Sequence, residues 1–156
     1  MMFKGKHVED KLNPKVKVKE ISESEVDVYS KLVLAVFEMP FDWKKGVDTF
    51  ILEIMQKGAK CYLAYVGKKP VGTSCLLSSM KTGGVFNVGT LKTYRRRGVG
   101  TTLVAHTVMD SIKQGNTLHI LYTEKEGNPE RLYNKIGFKT DHTIVWFVKN
   151  LSKLPP

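Results

Sequence analysis

The chain has 156 residues, of which 42% are hydrophobic and 26% are charged. A chain of this length and composition can bury an ordinary globular core, which excludes wholesale disorder. Lys and Arg exceed Asp and Glu by 25 − 15 = 10, and this excess favours anionic partners such as nucleic acid, an anionic membrane or a phosphate-rich small molecule.

The two cysteines, Cys61 and Cys75, are too few for a disulfide framework or a zinc site, so we expect reduced thiols. No apolar run approaches the roughly 20 residues that span a bilayer. The N-terminal residues also lack the apolar stretch of a signal peptide. The sequence therefore predicts a cytoplasmic protein that does not contact a membrane.

A polar lead-in over residues 1–14 is expected to be loosely ordered. The alternation of lysine and valine from Lys15 to Ile21 predicts a strand. Ser22 and Glu25 then form a capping-box pattern. The helix behind it has one apolar face, made by Val26, Tyr29, Val33, Val36 and Phe37. A second helix is predicted from about Asp42 to Gly58, with apolar residues Val47, Phe50, Ile51 and Ile54.

Three apolar segments, at 61–66, 71–80 and 85–91, predict an antiparallel meander with turns at 67–70 and 82–84. Helical spacing from Thr101 to Ile112 and a strand over 118–122 then predict a parallel crossover. A last helix opens at Asn128-Pro129 and ends at Gly137, and residues 138–149 supply one or two final strands. The pattern predicts one α/β domain over residues 15–149, followed by a C-terminal tail at 150–156.

The third meander strand runs into Arg95-Arg96-Arg97-Gly98-Val99-Gly100-Thr101 at the start of a helix. A helix start has unpaired backbone N–H groups and a positive dipole, and glycines let an anion approach the backbone closely. Arginines beside it add bidentate contacts to phosphate. The pattern indicates a phosphate-binding turn. The alternative is that the glycines only make the turn and the arginines form a solvated patch.

The run from Val88 to Thr101 resembles motif A of the GCN5-related N-acetyltransferases, the GNAT superfamily, whose core Arg/Gln-x-x-Gly-x-Gly/Ala falls on Arg95, Gly98 and Gly100. Residues 129–138 resemble the family's motif B helix, with its Leu-Tyr-x-x-x-Gly-Phe ending. The resemblance covers roughly residues 15–149. It implies a single-domain, mixed and mostly antiparallel sheet of six to seven strands flanked by about four helices.

The resemblance also implies acetyl-CoA as co-substrate and no metal. The cofactor's pyrophosphate would be bound by the backbone N–H groups of Arg96, Arg97, Gly98, Val99, Gly100 and Thr101. Its pantetheine arm would pair with the backbone of Thr90, Leu91 and Lys92. Asn128 would contact the same arm, and the alternative role for Asn128 is a cap for the helix that begins at Pro129. Which arginine meets the ribose phosphate is left open.

Tyr133 falls where many family members carry a tyrosine near the thioester sulfur, which implies a general acid for the departing thiolate. The alternative is a packed core aromatic. For the general base, the sequence leaves Glu38, Asp42, Glu124 or water open.

The function that the resemblance implies is an acetyl-CoA-dependent N-acetyltransferase, with direct attack in a ternary complex by a small-molecule or peptide amine. Met39, Phe41 and Trp43 suggest a partly apolar wall for this acceptor. A second hypothesis is an acetyl-CoA-binding sensor or interaction module without turnover. A third, nucleic-acid binding, is disfavoured because the basic residues are dispersed and no nucleic-acid motif is present. The acceptor, the acyl-chain length and the formation of a homodimer are left open.

Overall fold

The structure, a computed structural model, describes residues 1–145. Within these residues, seven strands form one sheet with four α-helices packed around it. The strands are β1 (Met2–Phe3), β2 (Val16–Glu20), β3 (Lys60–Val66), β4 (Lys69–Ser79), β5 (Thr82–Thr90), β6 (Leu118–Ile120) and β7 (Phe138–Lys139). The helices are α1 (Val26–Phe37), α2 (Lys44–Gln56), α3 (Val99–Lys113) and α4 (Asn128–Ile136). None of these helices is long and apolar enough to cross a membrane.

The strands lie in the order β2-β3-β4-β5-β6-β1-β7. Neighbours are antiparallel except β5 and β6, which run parallel because α3 crosses over between them. The structure confirms the predicted α/β class, the antiparallel meander β3-β4-β5 and the parallel crossover.

The two faces of the sheet carry separate hydrophobic cores. On one face α1 and α2 bury Tyr29, Val33 and Ile51 against β3 and β4. The other face packs α3 and α4 against the sheet through residues such as Val104 and Phe138. Gly89 in β5 permits the first packing, because a Cβ at this position would collide with Val36 of α1.

The expectation of a loosely ordered lead-in is wrong. Met2 and Phe3 form β1, which lies between β6 and β7 and pairs antiparallel with both. Met1 and Val8 are buried in the same core as α3 and α4. The lead-in is too short and too polar for period-2 alternation to reveal a strand, so its order depends on tertiary contacts alone.

The first predicted hairpin turn, 67–70, begins at the correct residue but extends two residues too far, and the second, 82–84, lies two residues too late. The chain reverses at Gly67-Lys68 and at Met80-Lys81, and Lys69 and Thr82 already belong to strands. Met80 and Lys81 have φ of 44° and 61° although neither is glycine. Two-residue hairpin turns require left-handed backbone, and here the hairpin imposes that conformation on residues that do not signal it.

The predicted final strands extend from 138 to 149. The structure has β7 over only Phe138–Lys139, no regular element from 140 to 145, and residues 146–156 lie outside the described part of the chain.

The expectation of reduced thiols is also wrong, because Cys61 and Cys75 are joined by a disulfide. The two residues are direct partners across β3 and β4, and both side chains are fully buried beneath α1. Their separation of 14 residues in the sequence gave no cue to this proximity, which the strand register creates.

The disulfide makes a direct prediction for thiol titration. In denaturant without reductant, the chain should react with no equivalents of a thiol reagent, and after reduction it should react with two, because the chain contains no further cysteine. Reduction should lower the free energy of unfolding by about 3 kcal/mol, the loop-closure value for a cross-link of this span. Two reactive thiols in the unreduced, denatured chain would contradict the bond.

Candidate functional site

The turn between β5 and α3 is shaped by left-handed backbone at two residues. Arg96 has φ of 63° and Gly98 has φ of 78°, and α3 begins directly afterwards at Val99. Successive N–H groups in such a turn point into one concavity, and the dipole of α3 adds positive potential there. The turn therefore has the geometry of an anion-binding site.

Six consecutive backbone N–H groups, at the end of this turn and the start of α3, have no partner within the described part of the chain. No acceptor there takes a hydrogen bond from the N–H groups of residues 96–101, whereas the next N–H, that of Thr102, donates to the Gly98 carbonyl at 2.9 Å. These six groups are the ones that, by the family resemblance, would bind a pyrophosphate. The structure brings them together at one helix end.

The three arginine side chains of the turn differ in their contacts. Arg95 Nε donates to the carbonyl oxygen of Thr90 at 3.2 Å. The Arg97 guanidinium lies 5.2 Å from the centroid of the Tyr94 ring, which Lys69 also approaches at 5.5 Å. The exposed side chains of Arg96 and Arg97 make no hydrogen bond or ion pair with a described residue. Both guanidinium groups therefore keep their donors for an incoming phosphate.

Asn13 anchors the turn and was missed by the sequence analysis. Its Nδ2 donates to the Arg97 carbonyl at 3.0 Å, and its backbone N–H donates to Thr102 Oγ1 at 2.9 Å. Its Oδ1 accepts from the backbone N–H of Lys15 at 3.0 Å. The contacts with Arg97 and Thr102 span more than 80 residues of sequence, so no local pattern could have identified their partner.

The strands β5 and β6 separate next to the turn. They pair only from Thr82↔Leu118 to Gly84↔Ile120, where β6 ends, while β5 continues to Thr90. Beyond Gly84, no described strand pairs with this edge of β5. An open edge offers backbone groups to an extended ligand, which would add to it as a strand does.

Several backbone groups at the end of β5 already have hydrogen-bond partners within the chain. The Leu91 N–H donates to the Val71 carbonyl at 2.9 Å, and the Leu91 carbonyl accepts from Tyr94 at 2.8 Å. The Thr90 carbonyl is occupied by Arg95. The exposed Lys92 side chain contacts Glu38 at 2.8 Å. Of the predicted trio Thr90, Leu91 and Lys92, Leu91 has both backbone groups committed.

A bulge in β5 faces the α1–α2 side of the sheet. The register with β4 shifts between Thr73 and Cys75, and Asn87 in the bulge has φ of 50°. Thr73 Oγ1 donates to the Asn87 carbonyl at 2.8 Å and fixes this conformation. Bulges of this kind redirect side chains next to functional sites.

Tyr133 of α4 is 7% exposed and packs with α3 and Phe138, which lies edge-on at 6.2 Å between ring centroids. Burial raises the pKa of Tyr133 to about 12. Its hydroxyl makes no hydrogen bond with a described residue and stays protonated at physiological pH. The α4 helix approaches the turn through Leu132, whose side chain would contact a Cβ at Gly100 at 3.8 Å.

Asn128 occupies the first position of α4 and makes no capping hydrogen bond, because the N-cap is Gly127. The alternative prediction, that Asn128 caps this helix, is therefore wrong. The three candidate carboxylates are all exposed and are not clustered. Lys92 lowers the pKa of Glu38 through a charged hydrogen bond, Asp42 lines a surface cavity, and Glu124 follows β6.

A groove runs along α2 on the same side as the bulge, and we call it the α1–α2 groove. Its inner cavity, of about 300 Å³, is lined by Val33, Phe37, Met39, Val47, Phe50, Ile51 and Asn87. Its outer cavity, of about 400 Å³, is lined by Asp42, Trp43, Gly46, Val47 and Phe50. Phe50, an apolar residue of the predicted second helix, lines both cavities and is 48% exposed.

No group of three or more His, Cys, Asp or Glu residues in the described chain lies close enough to hold a metal ion. The site thus consists of a turn of free N–H groups, an open strand edge, a buried tyrosine and an apolar groove.

Comparison with known proteins gives one family and many similar folds. Residues 57–140 match the model of the acetyltransferase (GNAT) domain, and this match includes the turn and α4. A curated relative, the probable N-acetyltransferase san of Drosophila melanogaster, is 24% identical over 142 residues, which are 87% of this chain and 74% of that protein.

Two solved structures illustrate the shared fold. AAC(6')-Iy, in complex with the bisubstrate analogue CoA-S-monomethyl-acetylneamine, superposes with a TM-score of 0.71 at 15% identity, over 86% of this chain and 98% of that chain. A predicted acetyltransferase from Clostridium acetobutylicum, solved with acetyl-CoA, has a TM-score of 0.68 at 16% identity, over 89% and 98% of the two chains.

The anchoring of the turn by Asn13 predicts a local effect. Asn13→Ala removes two side-chain hydrogen bonds, each worth about 1 kcal/mol, and should open the turn more often. Trypsin should then cleave the native chain after Arg95, Arg96 or Arg97 about fivefold faster, as measured by mass spectrometry. Asn134→Ala is the control, because Asn134 is an exposed asparagine of α4 whose side chain makes no hydrogen bond with a described residue. Equal cleavage rates in the two variants would contradict the anchoring role.

Proposed function

The chain belongs to the GNAT acetyltransferase family, and we propose that it transfers an acetyl group from acetyl-CoA to an amine acceptor. The observation that carries this proposal is the set of six unpaired N–H groups at residues 96–101, which lies beside the open edge of β5. A ligand with a pyrophosphate followed by an extended amide-containing arm matches both features at once. Coenzyme A is such a ligand.

In the proposed complex the pyrophosphate accepts hydrogen bonds from the backbone of Arg96, Arg97, Gly98, Val99, Gly100 and Thr101. Arg96 adds its free guanidinium. The pantetheine arm follows β5 at Thr90 and Lys92, where the Thr90 carbonyl becomes available once Arg95 turns toward phosphate. Leu91 contributes through its side chain, and Asn128, at the start of α4, is proposed to contact the same arm.

The reaction is a direct transfer. The neutral amine nitrogen attacks the thioester carbonyl carbon, a C–N bond forms, and the C–S bond breaks with its electron pair on sulfur. Positioning of the two substrates supplies most of the rate enhancement. The amine loses one proton and the thiolate gains one, so no other reactant is required.

The raised pKa of Tyr133 defines its proposed part in this step. A thiol has a pKa of about 8.5, so complete proton transfer from a phenol with a pKa of about 12 to the thiolate is unfavourable. The protonated hydroxyl instead donates a hydrogen bond to sulfur as negative charge develops, which stabilises the transition state. The proposed role of Tyr133 is thus that of a hydrogen-bond donor to sulfur, instead of the general acid that the resemblance implies.

The proton of the amine leaves through a carboxylate or water. Glu38 is the poorest candidate, because its contact with Lys92 lowers its pKa and weakens it as a base. Asp42 and Glu124 remain the candidate carboxylates, beside water.

The second candidate function is an acetyl-CoA-binding module without turnover. The absence of any acidic residue in β5 next to the site favours it, since amine deprotonation then lacks a nearby base. Release of free CoA in the presence of amines distinguishes the two, because a binding module releases none.

Acetyl-CoA should stabilise the native chain. At 100 times its Kd, a ligand that binds only the folded state adds about 2.7 kcal/mol, which corresponds to a rise in Tm of about 5–10 °C for a chain of this size. S-Acetylpantetheine, which lacks the pyrophosphate, should shift Tm by less than about 2 °C at the same concentration. An unchanged Tm with millimolar acetyl-CoA would refute the proposal.

Tyr133→Phe should lower kcat by about 100-fold, because the hydrogen bond to the developing thiolate is lost. The Kd for acetyl-CoA, measured by calorimetry, should change less than threefold, since the phenyl ring still packs in the same core. Tyr122→Phe is the matched control, because Tyr122 is 70% exposed and lies outside the core. A kcat for Tyr133→Phe within twofold of the parent value would exclude the tyrosine from the chemical step.

A further inference from the structure

We propose that the α1–α2 groove binds the acceptor, and that the acceptor is a primary amine with a single positive charge attached to an apolar group of about aromatic size. This inference rests on the proposed acetyl transfer and specifies the substrate class of the same site. It is drawn from the position of the groove, its lining and the charges around it.

The inner end of the groove lies against the strand that would hold the cofactor arm. Asn87, at the bulge of β5, lines the inner cavity. The Phe37 ring, which lines the same cavity, lies 3.5 Å from the Cβ position of Gly89, one residue before Thr90. An amine at the inner end is therefore next to the separated part of β5, where the thioester would lie. The rest of the acceptor must extend outward along α2.

The path along α2 is mainly apolar. Val47 and Phe50 line both cavities, and Trp43 lines the outer one. Phe37, Phe50 and Trp43 are 44%, 48% and 58% exposed. Large side chains are seldom left open in one contiguous patch unless a partner covers them. The two cavities share Val47 and Phe50 and together form an open, mainly apolar depression that an apolar ligand group can cover.

The charges around the groove disfavour a polyamine or an aminoglycoside. Such acceptors carry several positive charges, and each requires a carboxylate. Among residues 1–145, Asp42 is the one acidic residue that lines either cavity. Nearby Glu38 is paired with Lys92 at 2.8 Å, and Asp48 is paired with Lys44 at 2.6 Å. The net charge of +10 adds a general repulsion of polycations.

An apolar monoamine meets none of these obstacles. Its single ammonium can lose a proton to water or to Asp42 of the outer cavity before the neutral amine reaches the inner end, and its apolar group covers Val47, Phe50 and Trp43. The same chemistry occurs in small arylalkylamines and at the N-terminus of a peptide with an apolar first residue. The test therefore includes both sources.

The first experiment measures CoA release at a fixed, saturating concentration of acetyl-CoA. The amines are 2-phenylethylamine, ethanolamine, spermidine, and two tetrapeptides that differ only in a first residue of Phe or Asp. The proposal expects kcat/KM for 2-phenylethylamine or for the Phe peptide to exceed that for ethanolamine and spermidine by at least about tenfold. The better of these two apolar substrates shows whether the acceptor is a small arylalkylamine or the N-terminus of a peptide. Faster turnover of spermidine would overturn the proposal and leave the acetyltransferase function intact.

The variant pair is Phe50→Ala and Ile112→Ala. Phe50 lines both cavities, whereas Ile112, which is equally exposed at 48% but lies on α3, lines neither. Phe50→Ala should raise KM for the better apolar amine about tenfold, the factor that corresponds to losing a half-buried aromatic contact. It should leave the KM for acetyl-CoA within twofold. Equal KM values for the amine in the two variants would overturn the placement in the groove.

A binding measurement keeps the test independent of turnover. The chain has two tryptophans, and Trp146→Phe leaves Trp43 in the outer cavity as the one indole emitter. In the presence of CoA, 2-phenylethylamine should change the Trp43 emission in a saturable way, and spermidine should not. A chain that binds acetyl-CoA but shows neither turnover nor a saturable response to the apolar amines would overturn the groove proposal. Loss of acetyl-CoA binding itself would instead refute the proposed function.

Discussion

The early separation of β5 from β6 is the constraint on which the site depends. Parallel pairing ends at Gly84 and Ile120, so β5 continues to Thr90 with one edge open. An open edge is a liability in most sheets, because unpaired backbone groups attract other chains. Here the bulge at Asn87 and the hydrogen bond from Thr73 hold the strand in place from the β4 side alone. The opening, the turn of free N–H groups and the groove all lie around this segment.

The N-terminal residues stabilise this arrangement from two directions. Asn13 hydrogen-bonds to the turn and to α3, so the free N–H groups are held in a fixed array before any anion arrives. Residues 1–3 pair with β6 and β7 and thereby join the final strand of the described chain to the sheet. A preorganised array binds at lower entropic cost than one that must be ordered on binding. A segment without any local signal of structure thus supports both the rigidity of the turn and the continuity of the sheet.

Features that depend on residues close together in the sequence could be predicted. Features that depend on residues brought together by the fold could not. The glycine-arginine turn and the Leu-Tyr helix are readable because their residue types must recur at fixed spacing. Asn13, β1 and the Cys61–Cys75 bond depend on residues brought together by the sheet register. Phe37 and Phe50 have helical apolar spacing that matches a core face, yet both line the groove, because periodicity identifies an apolar face without identifying its partner.

The charged residues also differ between the two parts of the site. Lysines on and near α1 and α2 pair with neighbouring carboxylates, as Lys44 does with Asp27 and Asp48, and so remove the acidic groups that a polycation would need. The arginine turn is left without acidic partners in the described structure, and its positive potential is not cancelled locally. One end of the site therefore favours an anion strongly, while the groove on the other side offers mostly apolar surface. In the proposed reaction, the two substrates are thus selected by different physical criteria: charge selects the cofactor, and burial of apolar surface selects the acceptor.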